Sequence, residues 1–334
     1  MKHAIRTASA FAFASLYLCS GAGAKIVTFQ LPAYASTTPV SINDKGQVTG
    51  VIVDNDPTQP RHGFLWQKAG GLTTFDVPIS VMNKSDEYAE WTIPTGITAD
   101  GAIIGGYMRP QHGGGGFVRA ADGSITTFQV GPGRFTFVSG TNKKGWSVGA
   151  GGDGLFLRDP SGATKEFSVP GATSAGASVV NRSRAIAGTG YVQNGMRGYF
   201  LPAHGTAVLF GDPHVFVSVT GINDAGTVTG WFLDPTGYTA FVRSSDGKLT
   251  TFVAPNGASQ TQAFGINNSG TIVGGFDDSN GQGHGFLRTA DGTFTPFDIK
   301  GATGTGIFAI NDKGAITGLF RTQDYVIFGF AGKP

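Results

Sequence analysis

One motif recurs seven times along this chain, and a repeat of that length leaves few architectures open. I-N-D-x-G, followed three or four residues later by a second glycine, begins at Ile42, Ile97, Thr141, Val180, Ile222, Ile266 and Ile310, at spacings of 55, 44, 39, 42, 44 and 44 residues. The second glycine is present in every copy, from Gly50 through Gly105, Gly149, Gly188, Gly230 and Gly274 to Gly318. An aromatic residue follows in each, Phe64, Phe117, Phe156, Tyr199, Phe241, Phe286 and Phe330, most often within G-F-[LV]-R. A segment of the T-T-F-x-x-P type closes the unit at Phe75, Phe128, Phe167, Phe210, Phe252 and Phe297, which makes only six. The seventh lies at the opposite end of the chain, in Ile26-Val27-Thr28-Phe29-Gln30-Leu31-Pro32.

An open solenoid has no reason to begin with the last quarter of its repeat and end with the first three quarters. A ring does, because an outer strand from the N-terminus can pair with the C-terminal unit and remove the free edges. About 44 residues and four strands is the size of a propeller blade. Fifty-four glycines, with abundant Thr and Phe, disfavour helices and favour short strands joined by tight turns. The expectation is an all-β, seven-bladed β-propeller with four antiparallel strands per blade, the N-terminal strand closing the last blade. Asn223-Asp224-Ala225-Gly226 typifies the first hairpin turn, with Asn and Asp bonding local amides and Gly supplying positive φ. The fourth copy departs from it with Asn181-Arg182-Ser183-Arg184. A small residue precedes the motif Ile in most copies (Ser41, Gly96, Gly140, Gly221, Gly265, Ala309; Val179 is the exception), as crowding at a central axis requires. The recurring aromatics read as layers between blades.

Residues 1–24 read as a secretory signal, with Lys2 and Arg6 before a short apolar run and Ala22-Gly23-Ala24 as the cleavage site. Residues 25–334 are then a single propeller domain, exported to the periplasm or the exterior, with no membrane span and monomeric. The lone Cys19 leaves with the signal, so the fold relies on packing. Without the signal, 22 basic residues face 22 acidic ones, which removes the electrostatic case for nucleic acid. The combined spacing, with His62-Gly63-Phe64, His284-Gly285-Phe286, Gly116-Phe117 and Ala240-Phe241 at the start of the third strand, resembles the bacterial extracellular HAF-repeat proteins over nearly all of residues 25–334. That resemblance implies export and a repeat fold, and carries no established reaction or catalytic residues.

Successive antiparallel strands place the inner-to-second and third-to-outer turns on one rim, uniformly tight. The other rim carries connections that differ between repeats, and a site is expected there or in the channel mouth. The largest departure is Val77 to Thr95, holding Glu87, Tyr88, Glu90 and Trp91: two of the chain's three glutamates and two aromatics. Such a segment suits stacking on sugar rings and acid or base chemistry, or is a solvated loop. His62, His112, His214 and His284 share that rim and are ligand candidates, against a repeated structural role. Asp54, Asp56, Asp277 and Asp278 alternate oxygen donors in a manner that suits Ca²⁺, though Asx turns explain them equally and no other cofactor is indicated. No G-x-S-x-G, H-E-x-x-H or P-loop is present. The first functional expectation is a binding or scaffold propeller for an extracellular glycan or protein. The alternatives are a polysaccharide lyase or glycoside hydrolase acting at the channel mouth, and a purely structural envelope protein.

Overall fold

The computed structural model describes residues 25–31, 34–54, 60–78, 91–109, 113–133, 135–152, 154–255 and 260–334, and all residue statements below concern these. The signal reading of residues 1–24, and Asp56, Glu87, Tyr88, Glu90 and His112, lie outside them. No helix occurs among the described residues; the chain is a β-propeller built from four-stranded antiparallel sheets. Three of these stand alone, spanning residues 136–167, 174–210 and 216–252. The remaining strands form a sixteen-stranded path in which four-stranded sets meet only at the single parallel bridges Arg61↔Trp91, Gly283↔Gly304 and Ser36↔Ile327. The N-terminal strand Lys25–Phe29 pairs antiparallel with the C-terminal strand Ile327–Lys333, so the last set takes its outer strand from the start of the chain.

The repeat's second glycine has a geometric cause. Each inner strand carries a β-bulge just before the motif turn, as between Val219 and Gly221, where Val219 pairs with Gly230. The bulge pushes an inner-strand carbonyl over the facing residue of the second strand. A Cβ at Gly50, Gly105, Gly149, Gly188, Gly230, Gly274 or Gly318 would overlap that oxygen. Only glycine fits there.

Two devices then join neighbouring sheets. The first is a belt of buried asparagines at the motif turns. Each Oδ1 caps its own turn, as Asn142 Oδ1 accepts the amides of Lys144 (2.9 Å) and Trp146 (3.1 Å). Each Nδ2 donates to the main-chain carbonyl of the equivalent residue in the next sheet: Asn43 to Thr98 (3.0 Å), Asn142 to Asn181 (2.7 Å), Asn181 to Asn223 (2.9 Å), Asn223 to Asn267 (3.4 Å), Asn267 to Asn311 (3.1 Å) and Asn311 back to Asn43 (2.8 Å). Threonine replaces asparagine at residue 98, and there the Ala99 amide donates to the Lys143 carbonyl instead (2.9 Å). The circuit returns to its start.

The second device lies further out. The arginine of G-F-L-R reaches across the seam to the outer-strand phenylalanine of the preceding sheet: Arg119 over Phe75 (5.0 Å), Arg158 over Phe128 (4.3 Å), Arg243 over Phe210 (5.6 Å) and Arg288 over Phe252 (4.6 Å). Burial lowers the guanidinium pKa of Arg119, Arg158 and Arg243, and the ring faces compensate part of that desolvation. At the seam made by the N-terminal strand the position is Trp66, stacked on Phe29 at 5.0 Å and 19°. Beneath them the third-strand aromatics meet the same outer-strand rings edge-on, as Phe75 with Phe117 and Phe252 with Phe286. The fully buried Phe64, Phe117, Phe156, Tyr199, Phe241, Phe286 and Phe330 form the expected aromatic layers.

Candidate functional site

A central channel of about 540 Å³ runs between the inner strands, lined by Val40, Val179 and Val219, by Ser139, Ser178 and Thr220, and by Phe264 and Phe308, which meet edge-to-face at 5.4 Å. Its two mouths differ in chemistry. At the hairpin rim the residue after each belt position faces the axis, and there the charges meet. Lys143 bonds Asp44 (3.1 Å) and Asp312 (2.9 Å), neither of which belongs to a sheet adjoining its own in the belt. Arg182 bonds Asp224 through Nε at 2.6 Å and through Nη2, and stands 3.7 Å from Asp312. A ring of main-chain donors holds these acids in place: the amides of Arg182, Asn268 and Asp312 bond Asp224, Asp312 and Asp44. Lysine and arginine thus tie across this mouth.

Burial works against the Asp224 and Asp312 carboxylates, but the Arg182 and Lys143 contacts and the adjoining amide donors outweigh it, and both pKa values fall below the ordinary carboxylate value. A depressed folded-state pKa stabilises the fold above the unfolded pKa and ceases to do so as pH falls through the folded one. The thermal midpoint is therefore expected to drop as pH is lowered through and below the usual carboxylate range. Asp312→Asn is expected to be less stable at neutral pH and to lose less on acidification; equal acid sensitivity in the two proteins would refute this role for the network.

The opposite rim is aromatic. Phe135 and Phe137, 44% and 50% exposed, stack at 5.7 Å and 7° beside the start of the inner strand Thr136–Thr141. Phe216, 45% exposed, stacks on Trp231 at 5.5 Å, and Trp231 meets Tyr238 edge-on at 5.0 Å. Tyr191 is also exposed. With Trp91, these rings follow the variable rim across four successive sheets.

Trp91 begins the inner strand Trp91–Ile97 rather than lying in a loop, and Arg61 covers one of its faces at 5.0 Å. Val77 is buried, with its amide donating to Thr92 Oγ1 (3.1 Å), so the two ends of the 77–95 segment are tied to each other within the sheet packing. His62 Nδ1 lies 2.9 Å from both Asp76 oxygens, and His284 Nδ1 3.0 Å from both Asp298 oxygens. In each case the acid directly follows an outer-strand phenylalanine of the same sheet, so the two histidines occupy equivalent positions in different sheets. His284 also stacks on Phe276 at 5.1 Å, and its Nε2 is 3.6 Å from Asp278. A cavity of about 150 Å³ beside it is lined by Tyr238, Gln260, Gln262 and Asp277. His214 is exposed, its amide donating to Asp212. Asp278 Oδ1 accepts the amides of Asn280 (2.8 Å) and Gln282 (2.9 Å), which makes an Asx turn; this lowers its pKa. Asp54 ends the strand Val48–Asp54. Among the described residues no three His, Cys, Asp or Glu side chains converge in a way that holds a metal ion.

No family model and no curated protein matches the chain. Solved structures do. The β-propeller domain of the Trilobed protease from Pyrococcus furiosus, described as having an open velcro topology, is similar at a TM-score of 0.61 and 14% identity, over 90% of this chain and 95% of that one. A catalytically inactive virginiamycin B lyase from Staphylococcus aureus with quinupristin is similar at 0.58 and 15%, over 92% and 98%. A puromycin hydrolase variant is similar at 0.54 and 12%, over 88% of this chain and 52% of that one. These likenesses define a β-propeller and nothing finer. The paired N-terminal strand sets this chain apart from an open closure.

Proposed function

We propose that the protein is an exported seven-bladed β-propeller that binds an extracellular glycan on its aromatic rim, with residues 1–24 as signal and 25–334 as one domain. The blade count is supported by the single bridges that subdivide the sixteen-stranded path into four sets, beside three separate sheets, and by the closed asparagine circuit. Export, to the periplasm or beyond, is supported by the leader; no described helix is long and apolar enough to cross a membrane. Kinship with the HAF-repeat proteins is supported by the two H-G-F signatures, whose histidines share one position beside the aspartate that follows an outer-strand phenylalanine.

The observation that carries the binding reading is the run of exposed, stacked rings on the variable rim, opposite a mouth spanned by ion pairs. Flat aromatic faces flanked by polar side chains suit the apolar faces of sugar rings. A glycan array is the test. Trp231→Ala and the double change Phe135→Ala with Phe137→Ala are each expected to weaken retention about tenfold, the loss of a stacking contact worth ~1–1.5 kcal/mol. Retention of a protein partner with no glycan bound would reassign the rim to protein recognition. A second reading, a polysaccharide-degrading enzyme, is favoured by His284, which Asp298 orients with Nε2 directed towards Asp278 beside a small polar cavity. It requires new reducing ends or unsaturated products from the polymer that is bound.

A further inference from the structure

The fourth repeat departs from the others twice, and the two departures meet at one place on the hairpin rim. The residue that elsewhere reaches over the preceding sheet's outer phenylalanine is Leu201 here. Four seams fill this slot with a guanidinium, and a fifth with Trp66. In the C-terminal sheet the residue is Gly332, and Ile26 shares the buried cluster of Phe297. Leucine is too short to span the gap, and the seam between the 136–167 and 174–210 sheets opens into a cavity of about 290 Å³ beside Phe167.

Leu157, Phe167, Ile186 and Leu201 give this cavity an apolar wall, while Lys165 and Arg184 line its edge. Neither cation has an ion-pair partner among the described residues. Glu166 alternates to the other face of its strand, near Gly131. Arg184 is also the second departure. It occupies the turn position that is Gly46, Gly145, Gly226, Gly270 and Gly314 in other sheets, and it holds a left-handed φ of 68° in their place. Such a conformation costs a non-glycine residue on the order of 1 kcal/mol. Arg184 stands over Trp146 at 5.6 Å, with Nη2 3.5 Å from His204.

We propose that this seam is a second binding site, for a small organic anion with a planar apolar body, of which an aromatic carboxylate is the simplest form. The ring of the ligand takes the slot against Phe167 that a guanidinium fills elsewhere. Two cations without a carboxylate partner among the described residues make an anion the complementary charge and disfavour a second guanidinium from outside. The site lies on the opposite rim from the aromatic arc and stands independently of the glycan reading.

Titration calorimetry on the protein without its leader decides the matter, with 2-naphthoate as probe and 2-naphthol as a neutral body of the same shape. 2-Naphthoate is expected to bind at least tenfold more tightly than 2-naphthol, the scale of one charge-assisted contact. Leu201→Arg, which installs the repeat's own guanidinium, is expected to abolish binding, and Lys165→Gln to weaken it several-fold. Trp231→Ala is expected to leave it unchanged. Equal affinity for both probes, no binding of 2-naphthoate at millimolar concentration, or full affinity in Lys165→Gln would each overturn the proposal. Lys165 is exposed, so that variant remains informative if Leu201→Arg misfolds.

Discussion

Asn311→Ala is expected to cost about 3 kcal/mol or more, a large effect for a change that removes only a small polar group. Asn311 is 1% exposed, and its three side-chain hydrogen bonds have separate duties. Oδ1 accepts the amides of Lys313 (3.0 Å) and Ala315 (2.8 Å) and so shapes the turn. Nδ2 donates to the Asn43 carbonyl (2.8 Å), the link that returns the belt from the last sheet to the first. Alanine leaves those two amides without their acceptor and takes the inter-sheet donor from the Asn43 carbonyl, which keeps only the Gly46 amide (3.0 Å), at about 1–3 kcal/mol for each group that stays dry. Residue 98 provides the reciprocal experiment. Thr98 Oγ1 bonds Asp100 and the Ala102 carbonyl and makes no side-chain link onward, so Thr98→Asn is expected to gain up to about 1 kcal/mol. Urea unfolding midpoints check both changes. An Asn311→Ala midpoint within error of wild type would show that the belt is geometry without energetic consequence.

The parts of this structure that were legible in the sequence are those governed by local chemistry. N-D-x-G marks its turns because Asn Oδ1 caps two nearby amides and the glycine takes positive φ; the displaced Ile26–Pro32 segment betrays the strand exchange because an outer strand is missing at the other end. What was not legible lies across seams. A turn asparagine displays its use of Oδ1 but not where Nδ2 goes, since the acceptor is the equivalent residue one repeat away. A signal did exist: asparagine at six of seven copies is more than turn chemistry demands, as Asp or Ser caps such turns equally. The arginine of G-F-L-R likewise reads as a solvated strand end until the preceding sheet's phenylalanine is placed beneath it. Lys143 and Arg182 interrupt the motif where Asp is usual, and their purpose appears only once Asp44, Asp224 and Asp312 converge from other sheets. Apart from Trp91, the rim aromatics escaped notice because they recur irregularly: Phe135 and Phe216 precede or begin inner strands, while Trp231 lies on a second strand. Of the stretch that looked most functional in the sequence, Trp91 is described and joins the aromatic rim, whereas Glu87, Tyr88 and Glu90, like His112 further on, lie outside the described residues.

The closure of the ring provides the second large effect. Phe29 is 1% exposed, stacks on Trp66 at 5.0 Å and meets Phe64 edge-on at 5.9 Å. Phe29→Ala is expected to cost about 3–5 kcal/mol, the usual range for emptying a buried aromatic site. Phe75→Ala removes the same side chain from the next seam, where Phe75 meets Phe117 and Arg119, and is expected to cost a similar amount. The two differ in what opens. Phe75 ends a strand continuous with its own sheet through the turn after Gln67, whereas no hairpin turn joins Lys25–Phe29 to its sheet, which holds it by pairing from Lys25↔Lys333 to Phe29↔Gly329 and by the packing of Ile26 and Phe29. Weakening Phe29 therefore lets five residues detach without unfolding the rest, a local opening of low free energy. It also bares the edge of Ile327–Lys333 and invites pairing between copies. Hydrogen exchange is expected to show loss of protection confined to residues 25–31 and 327–333 in Phe29→Ala, with concentration-dependent association, and no such confinement in Phe75→Ala. Uniform loss of protection in both variants would mean that the N-terminal strand is no weaker a joint than any other seam of the propeller.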